Sequence, residues 1–90
     1  DDEATAWMLN SKPNPNNGEM TIQYAVTKPG MTSLYIRDAI GREIARFDAG
    51  MMDIGNYEHA FSLQNVASGL YYVTMQQAGQ TITRSMTIIK

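Results

Sequence analysis

Cysteine is absent from the 90 residues, so the chain has no disulfide and no thiolate metal site. Small exported domains often depend on such staples. This one must hold together by packing and hydrogen bonds. Histidine occurs once, as His59, which excludes a multi-histidine metal centre. No run approaches the roughly 18 apolar residues that a membrane-spanning helix requires, so no transmembrane segment is expected. Charge is sparse as well. The formal net charge is −2, and Asp1, Asp2 and Glu3 account for three of the nine acids; the rest of the chain has seven bases against six acids. That near-neutral body lacks the basic face that nucleic-acid binding needs. The opening Asp1-Asp2-Glu3-Ala4-Thr5 has neither the positive region nor the apolar run of a secretory leader. It reads as a processed end or, preferably, as a piece of a longer chain. At 10.0 kDa the chain suffices for one domain with a two-layer core and leaves little room for a deep catalytic cleft.

What is present is a repeated period of two. Residues 1–6 are acidic and polar and read as the flexible end of a linker; residues 7–90 read as a single domain. Trp7-Met8-Leu9 is a short apolar run suited to a first edge strand. Lys12 to Gly18 contains two prolines and an Asn17-Gly18 pair, and forms a loop. Met20, Ile22, Tyr24 and Val26 then alternate with Thr21, Gln23, Ala25 and Thr27, as in a half-buried strand. Lys28-Pro29-Gly30 turns the chain. Leu34 and Ile36 mark a third strand, and Asp38 to Arg42 a turn with Gly41 as its flexible point. Glu43 to Phe47 is a short fourth strand whose apolar spacing breaks alternation, through a bulge or a helical turn. Asp48 to Gly55 reads as a loop carrying Met51 and Met52. Tyr57, His59 and Phe61 alternate on a fifth strand, and Tyr71, Val73 and Met75 on a sixth. The last strand, Thr81 to about Ile89, puts Ile82, Met86 and Ile88 on one face. About seven short strands at this spacing, with eight threonines and five tyrosines and no convincing helix, predict an all-β, antiparallel sandwich or barrel. The two alternating sets, Met20 to Val26 and Tyr71 to Met75, should share one core.

Catalytic chemistry finds little support. His59 reads as a partly buried strand histidine, and Glu58 beside it points to the opposite face. Nothing in the spacing of serines and aspartates singles out a triad. Asp38, Glu43, Asp48 and Asp53 lie in or beside loops without the spacing of a calcium loop, and the glycines read as turn hinges. Met51-Met52 is either a cap on one end of the core or a contact surface. Tyr71, just after Gly69 at a strand start, suits a corner tyrosine whose hydroxyl bonds nearby backbone.

Four motifs in order now become informative: Pro13-Asn14-Pro15-Asn16-Asn17-Gly18, Leu34 to Ile44 with its Asp38-Ala39-Ile40-Gly41-Arg42 turn, Val66-Ala67-Ser68-Gly69-Leu70-Tyr71, and the ending Arg84 to Lys90. Together they resemble the C-terminal sorting domain of type IX (Por) secretion cargo from Bacteroidetes, over roughly Met8 to Lys90. Lys12 stands where the family often has an aromatic residue, and Val66 where it has leucine.

The resemblance implies an immunoglobulin-like antiparallel β-sandwich that is a signal and not an enzyme, with no cofactor. It implies an upstream cargo domain in the same precursor. The partners would be the type IX translocon, an outer-membrane shuttle protein and a sortase that usually removes the domain and joins cargo to lipopolysaccharide. The location implied is the periplasm in transit, then the outer membrane, cell surface or medium. Residues expected to carry recognition are Asp38, Gly41, Arg42, Met51, Met52, Met86, Ile88, Ile89 and Lys90. Two other functions fit a small β-sandwich. A carbohydrate-binding or adhesive module would need exposed aromatics, for which Trp7, Tyr35 and Tyr72 are candidates. A structural spacer within a larger surface or flagellar-cap-like protein would continue beyond Lys90.

Overall fold

Alternating apolar residues become two facing sheets in the structure, a computed structural model that describes residues 9–14 and 16–90. Seven strands succeed one another: β1 (Leu9–Lys12), β2 (Glu19–Val26), β3 (Gly30–Asp38), β4 (Glu43–Met52), β5 (Gly55–Ser62), β6 (Gly69–Gln77) and β7 (Gln80–Ile88). One sheet has the order β1-β2-β5 and the other β4-β3-β6-β7, with every neighbouring pair antiparallel. No helix occurs among the described residues. This is the expected all-β sandwich of immunoglobulin-like type. The linker expectation for residues 1–6, and the part of the first strand at Trp7 and Met8, lie outside the described residues.

The period of two holds where the register is unbroken. Met20, Ile22, Tyr24 and Val26 on β2 face Leu34 and Ile36 on β3, Tyr71, Val73 and Met75 on β6, and Met86 and Ile88 on β7, in a single buried cluster. Burying each of these larger side chains stabilises by about 1.5–3 kcal/mol, which is the main source of cohesion in a chain without disulfides.

β4 departs from the expectation. It does not end at Phe47 but runs on to Met52, so Met51 and Met52 stand on a strand and not in a loop. Two bulges explain the misreading. Ile44 is skipped between the pairs Ile36↔Ala45 and Arg37↔Glu43, and Ala49 between Ser33↔Asp48 and Thr32↔Gly50. Each extra residue reverses the facing of the strand beyond it, so no steady alternation survives in the sequence. The bulge at Ile44 accounts for the irregular spacing from Ile44 to Phe47, and the helical turn is excluded.

Aromatic side chains bridge the sheets between β4 and β5. Phe47 on β4 stacks on His59 of β5 with ring centroids 3.7 Å apart and planes at 5°, and Phe61 meets His59 edge-on at 4.8 Å. Burial in this setting lowers the His59 pKa from its ordinary 6.5. The unfolded chain therefore binds the proton more readily than the folded one. Stability is complete above the ordinary histidine value and declines as pH falls through that value towards the lower folded one. The expected result is a melting temperature that drops as pH falls through the ordinary histidine value of 6.5, above the carboxylate range. His59→Phe keeps an aromatic partner for Phe47 and should flatten the drop; an unchanged slope in that variant would assign the effect to another group.

Candidate recognition site

The strand registers bring the four sequence motifs to one end of the sandwich. Asp38 pairs with Tyr71, Tyr71 with Met86, and Gly69 with Ile88, so the turn after β3, the start of β6 and the end of β7 lie together. The segment between β1 and β2 joins them. The Leu63 amide donates to the Gly18 carbonyl at 2.7 Å, and Asn16 forms a parallel bridge with Ile88. At the opposite end lie the β2–β3 connection and the Ala78-Gly79 turn, with Leu9, the first residue of β1, towards them. Of the residues expected to carry recognition, Asp38, Gly41, Arg42, Met86, Ile88, Ile89 and Lys90 share the motif end. Met51, paired with Met31, and Met52, paired with Gly30, are at the other end. From Met31 to Asp38 is about 23 Å at the usual strand rise.

The Asp38-Ala39-Ile40-Gly41-Arg42 turn is closed by its own ends. One Asp38 carboxylate oxygen accepts from the Ile40 amide at 3.2 Å and the Arg42 amide at 2.9 Å, and the other from Arg42 Nε at 2.9 Å. The Gly41 amide donates to the Asp38 carbonyl at 3.0 Å, and the Asp38 amide to the Arg42 carbonyl at 2.9 Å. Burial works to raise the Asp38 pKa. The hydrogen bonds from Arg42 and Ile40, with the Arg42 charge, outweigh it and hold the carboxyl below its ordinary range. Every donor is within four residues of the acceptor, so this motif specifies a turn.

Asn14 and Asn16 are tied to the last strand. The Asn16 amide donates to the Thr87 carbonyl at 3.1 Å, and the Ile89 amide donates to the Asn16 carbonyl at 2.7 Å. The Thr87 amide donates to Asn14 Oδ1 at 3.1 Å. Asn16 is itself buried, and its Oδ1 accepts from the Gly18 amide at 2.9 Å. The Lys90 amide donates to Ser68 Oγ at 2.8 Å. The Tyr71 hydroxyl donates to the Ala67 carbonyl at 2.6 Å, the corner geometry expected of it. The parts Asn14, Asn16 and Ser68 play escape sequence reasoning. Their partners lie up to 73 residues away, and no local pattern announces such contacts.

The candidates divide by exposure. Met86 and Ile88 are 1% and 0% exposed and serve the core, whereas Ile89 is 56% exposed and Lys90 is also on the surface. On the outer face of the four-stranded sheet, Tyr35 is buried beneath two guanidinium groups, Arg37 at 4.8 Å and Arg46 at 5.0 Å from the ring centroid. It offers no open platform for a sugar; Tyr72 is half-buried, and Trp7 lies outside the described residues. His59 faces Phe47 and Phe61. Among the described residues no cluster of three metal-ligating side chains occurs.

The fold and its tied end define an immunoglobulin-like domain whose C-terminal residues are built into its own surface. The family model of the secretion system C-terminal sorting domain matches residues 12–90, all four motifs included, and the chain belongs to that family. It is a C-terminal sorting signal of type IX secretion. No curated protein matches the chain.

Two glycines at this end test the geometry. Gly41 has φ +92° with open space around its Cα, and Gly18 has φ +108° with a hypothetical Cβ only 2.7 Å from the Leu63 carbonyl. Gly41→Val should cost at least ~1 kcal/mol from backbone strain alone. Gly18→Ala adds a backbone clash and should cost more in urea denaturation. Equal losses at the two positions would count against the packing of Gly18 on Leu63.

Proposed function

We propose that the type IX machinery reads the end of the sandwich that carries Ile89 and Lys90, and that the domain delivers an upstream cargo through the outer-membrane translocon. The observation that carries this reading is the convergence of all four family motifs on that end, while Leu9, the first residue of β1, lies towards the other. A carrier can then hold the signal end while the cargo stays clear of it. A sortase cutting ahead of β1 would leave the recognised end intact, after which cargo would be joined to lipopolysaccharide at the cell surface. Met51, with its neighbour Met31, forms an exposed pair at the cargo-facing end, which suits a secondary contact. No helix among the described residues is long and apolar enough to cross a membrane.

Lys90 separates recognition from folding. Deleting residues 88–90 removes Ile88 from the core, and losing one such burial, about 1.5–3 kcal/mol, can unfold a marginal domain. Lys90 is exposed, and Lys90→Glu, which keeps the Lys90 amide on Ser68 Oγ, should move stability by no more than about 0.5 kcal/mol, whereas the deletion also gives up that bond. Export of full precursor carrying Lys90→Glu, or lacking Lys90, is compared with the melting temperature of each domain. Reduced export with unchanged melting is the expected result for Lys90→Glu. Normal export of both would place the signal elsewhere on the sandwich, with the Asp38–Arg42 turn the first alternative.

A further inference from the structure

A two-sheet sandwich of this topology has four edge strands, β1 and β5 in one sheet and β4 and β7 in the other. Edges carry main-chain groups without strand partners and are the natural place for another chain to pair. β1 is only 4 residues long, and β4 is interrupted by its bulges at Ile44 and Ala49. β5 is regular, but among the described residues no segment pairs with its outer side. β7 alone combines length with an occupant. Asn16 pairs with it in parallel through the Thr87 carbonyl and the Ile89 amide, and Asn14 Oδ1 takes the Thr87 amide.

That occupant covers only the last part of the edge. β7 is joined to β6 by the two-residue Ala78-Gly79 turn, with Gln77 paired to Gln80. In such a hairpin the even-numbered residues of β7 exchange hydrogen bonds with β6, and the odd-numbered ones face outward. Thr81, Thr83 and Ser85 therefore present their main-chain groups on the same side as Thr87, and among the described residues no strand pairs with them, although β1 lies close to β7. Their side chains are exposed and small, opposite Gln76, Thr74 and Tyr72. The only charge on β7 is Arg84, which is in register with buried Val73 and so belongs to the other face.

We propose that the outward edge of β7, from Thr81 to Ile89, is where an extended segment of a type IX partner pairs in parallel with the domain, displacing Asn14 and Asn16 from Thr87 and Ile89. This inference rests on the sorting function proposed above. The direction is that of the internal occupant. Three hydrogen bonds to Asn14 and Asn16 are given up, while Thr81, Thr83 and Ser85 gain partners. Main-chain pairing needs few particular side chains, which suits a carrier that must accept many cargo domains.

A lock tests the displacement. Asn14 Oδ1 accepts from the Thr87 main-chain amide at 3.1 Å, which places the two residues side by side, and the chain has no cysteine of its own. An Asn14→Cys, Thr87→Cys domain in its full precursor should therefore close on itself in the oxidising periplasm. Oxidised precursor should stay in the periplasm, and the same precursor treated with dithiothreitol should reach the surface. Export in both redox states would overturn the proposal, and so would retention in both while wild type is exported. Failure of wild-type precursor to be exported by this route would instead sink the sorting function itself.

Hydrogen exchange on the 90-residue chain then still decides the edge. Asn14→Ala should speed exchange of the Thr87 amide, and to a lesser degree the Ile89 amide, and leave Met86 and Ile88 as protected as before. Loss of protection at all four together would mean that the edge opens only with the whole fold, which overturns displacement. A dimer of Asn14→Ala in sedimentation would make the occupant a second copy and overturn the choice of partner.

Discussion

Asn16 ties the two sheets together by main-chain hydrogen bonds at the motif end. Its main chain pairs with β7 of the four-stranded sheet, and Gly18, two residues on, accepts from Leu63, just beyond β5 of the three-stranded sheet. Each such hydrogen bond is worth only about 0.5–1.5 kcal/mol net, but leaving a buried donor or acceptor unmade costs about 1–3 kcal/mol. Since Asn16 is buried, its bonds are effectively obligatory. Met86 and Ile88 stay in the core only while β7 keeps its register against β6, and the bridge from Asn16 to Ile88 fixes the same strand from the other side.

The sequence is legible where structure is local. β2 and β6 are readable because their alternation is unbroken, and Tyr71 because a hydroxyl at a strand start has few places to bond. The Asp38–Arg42 turn is readable for the same reason: its carboxylate, two amides and guanidinium lie within five residues. β4 is misjudged because two bulges, at Ile44 and Ala49, reverse the face that period-two reasoning depends on. That error moves Met51 and Met52 from a strand into a loop. The ties from Asn14, Asn16 and Ser68 to residues 87–90 are illegible because they are long-range. The family resemblance indicates that the asparagine-rich segment and the chain end matter, without indicating that they touch.

Their contact changes the meaning of the candidate residues. Asp38 and Gly41 spend their chemistry on a turn, Met86 and Ile88 on the core, and Asn14 and Asn16 on the last strand. Of the candidates at the motif end, only Arg42, Ile89 and Lys90 are exposed enough for a partner to touch by side chain. Most of the motif is therefore a set of instructions for building one end of a sandwich, and a minority is surface.

A signal of this kind exists only in the folded domain. The surface at the motif end is assembled from residues 14 and 16, Ser68 and residues 86–90, which meet only when both sheets are formed and packed. An unfolded chain carries Lys90 as well, but not beside Ser68 and not at the end of a strand held in register by Gly69 and Asn16. A carrier that reads this end reads the completed domain. The absence of cysteine sharpens the point: nothing covalent preserves the arrangement once packing is lost, so recognition tracks the folded population directly. A partner that only pairs along β7 must compete with Asn14 and Asn16 but not with the core, because Met86 and Ile88 point inward whichever segment occupies the edge. The same strand can thus anchor the fold through its inner face and offer its outer edge to a carrier, the two roles falling on alternate residues.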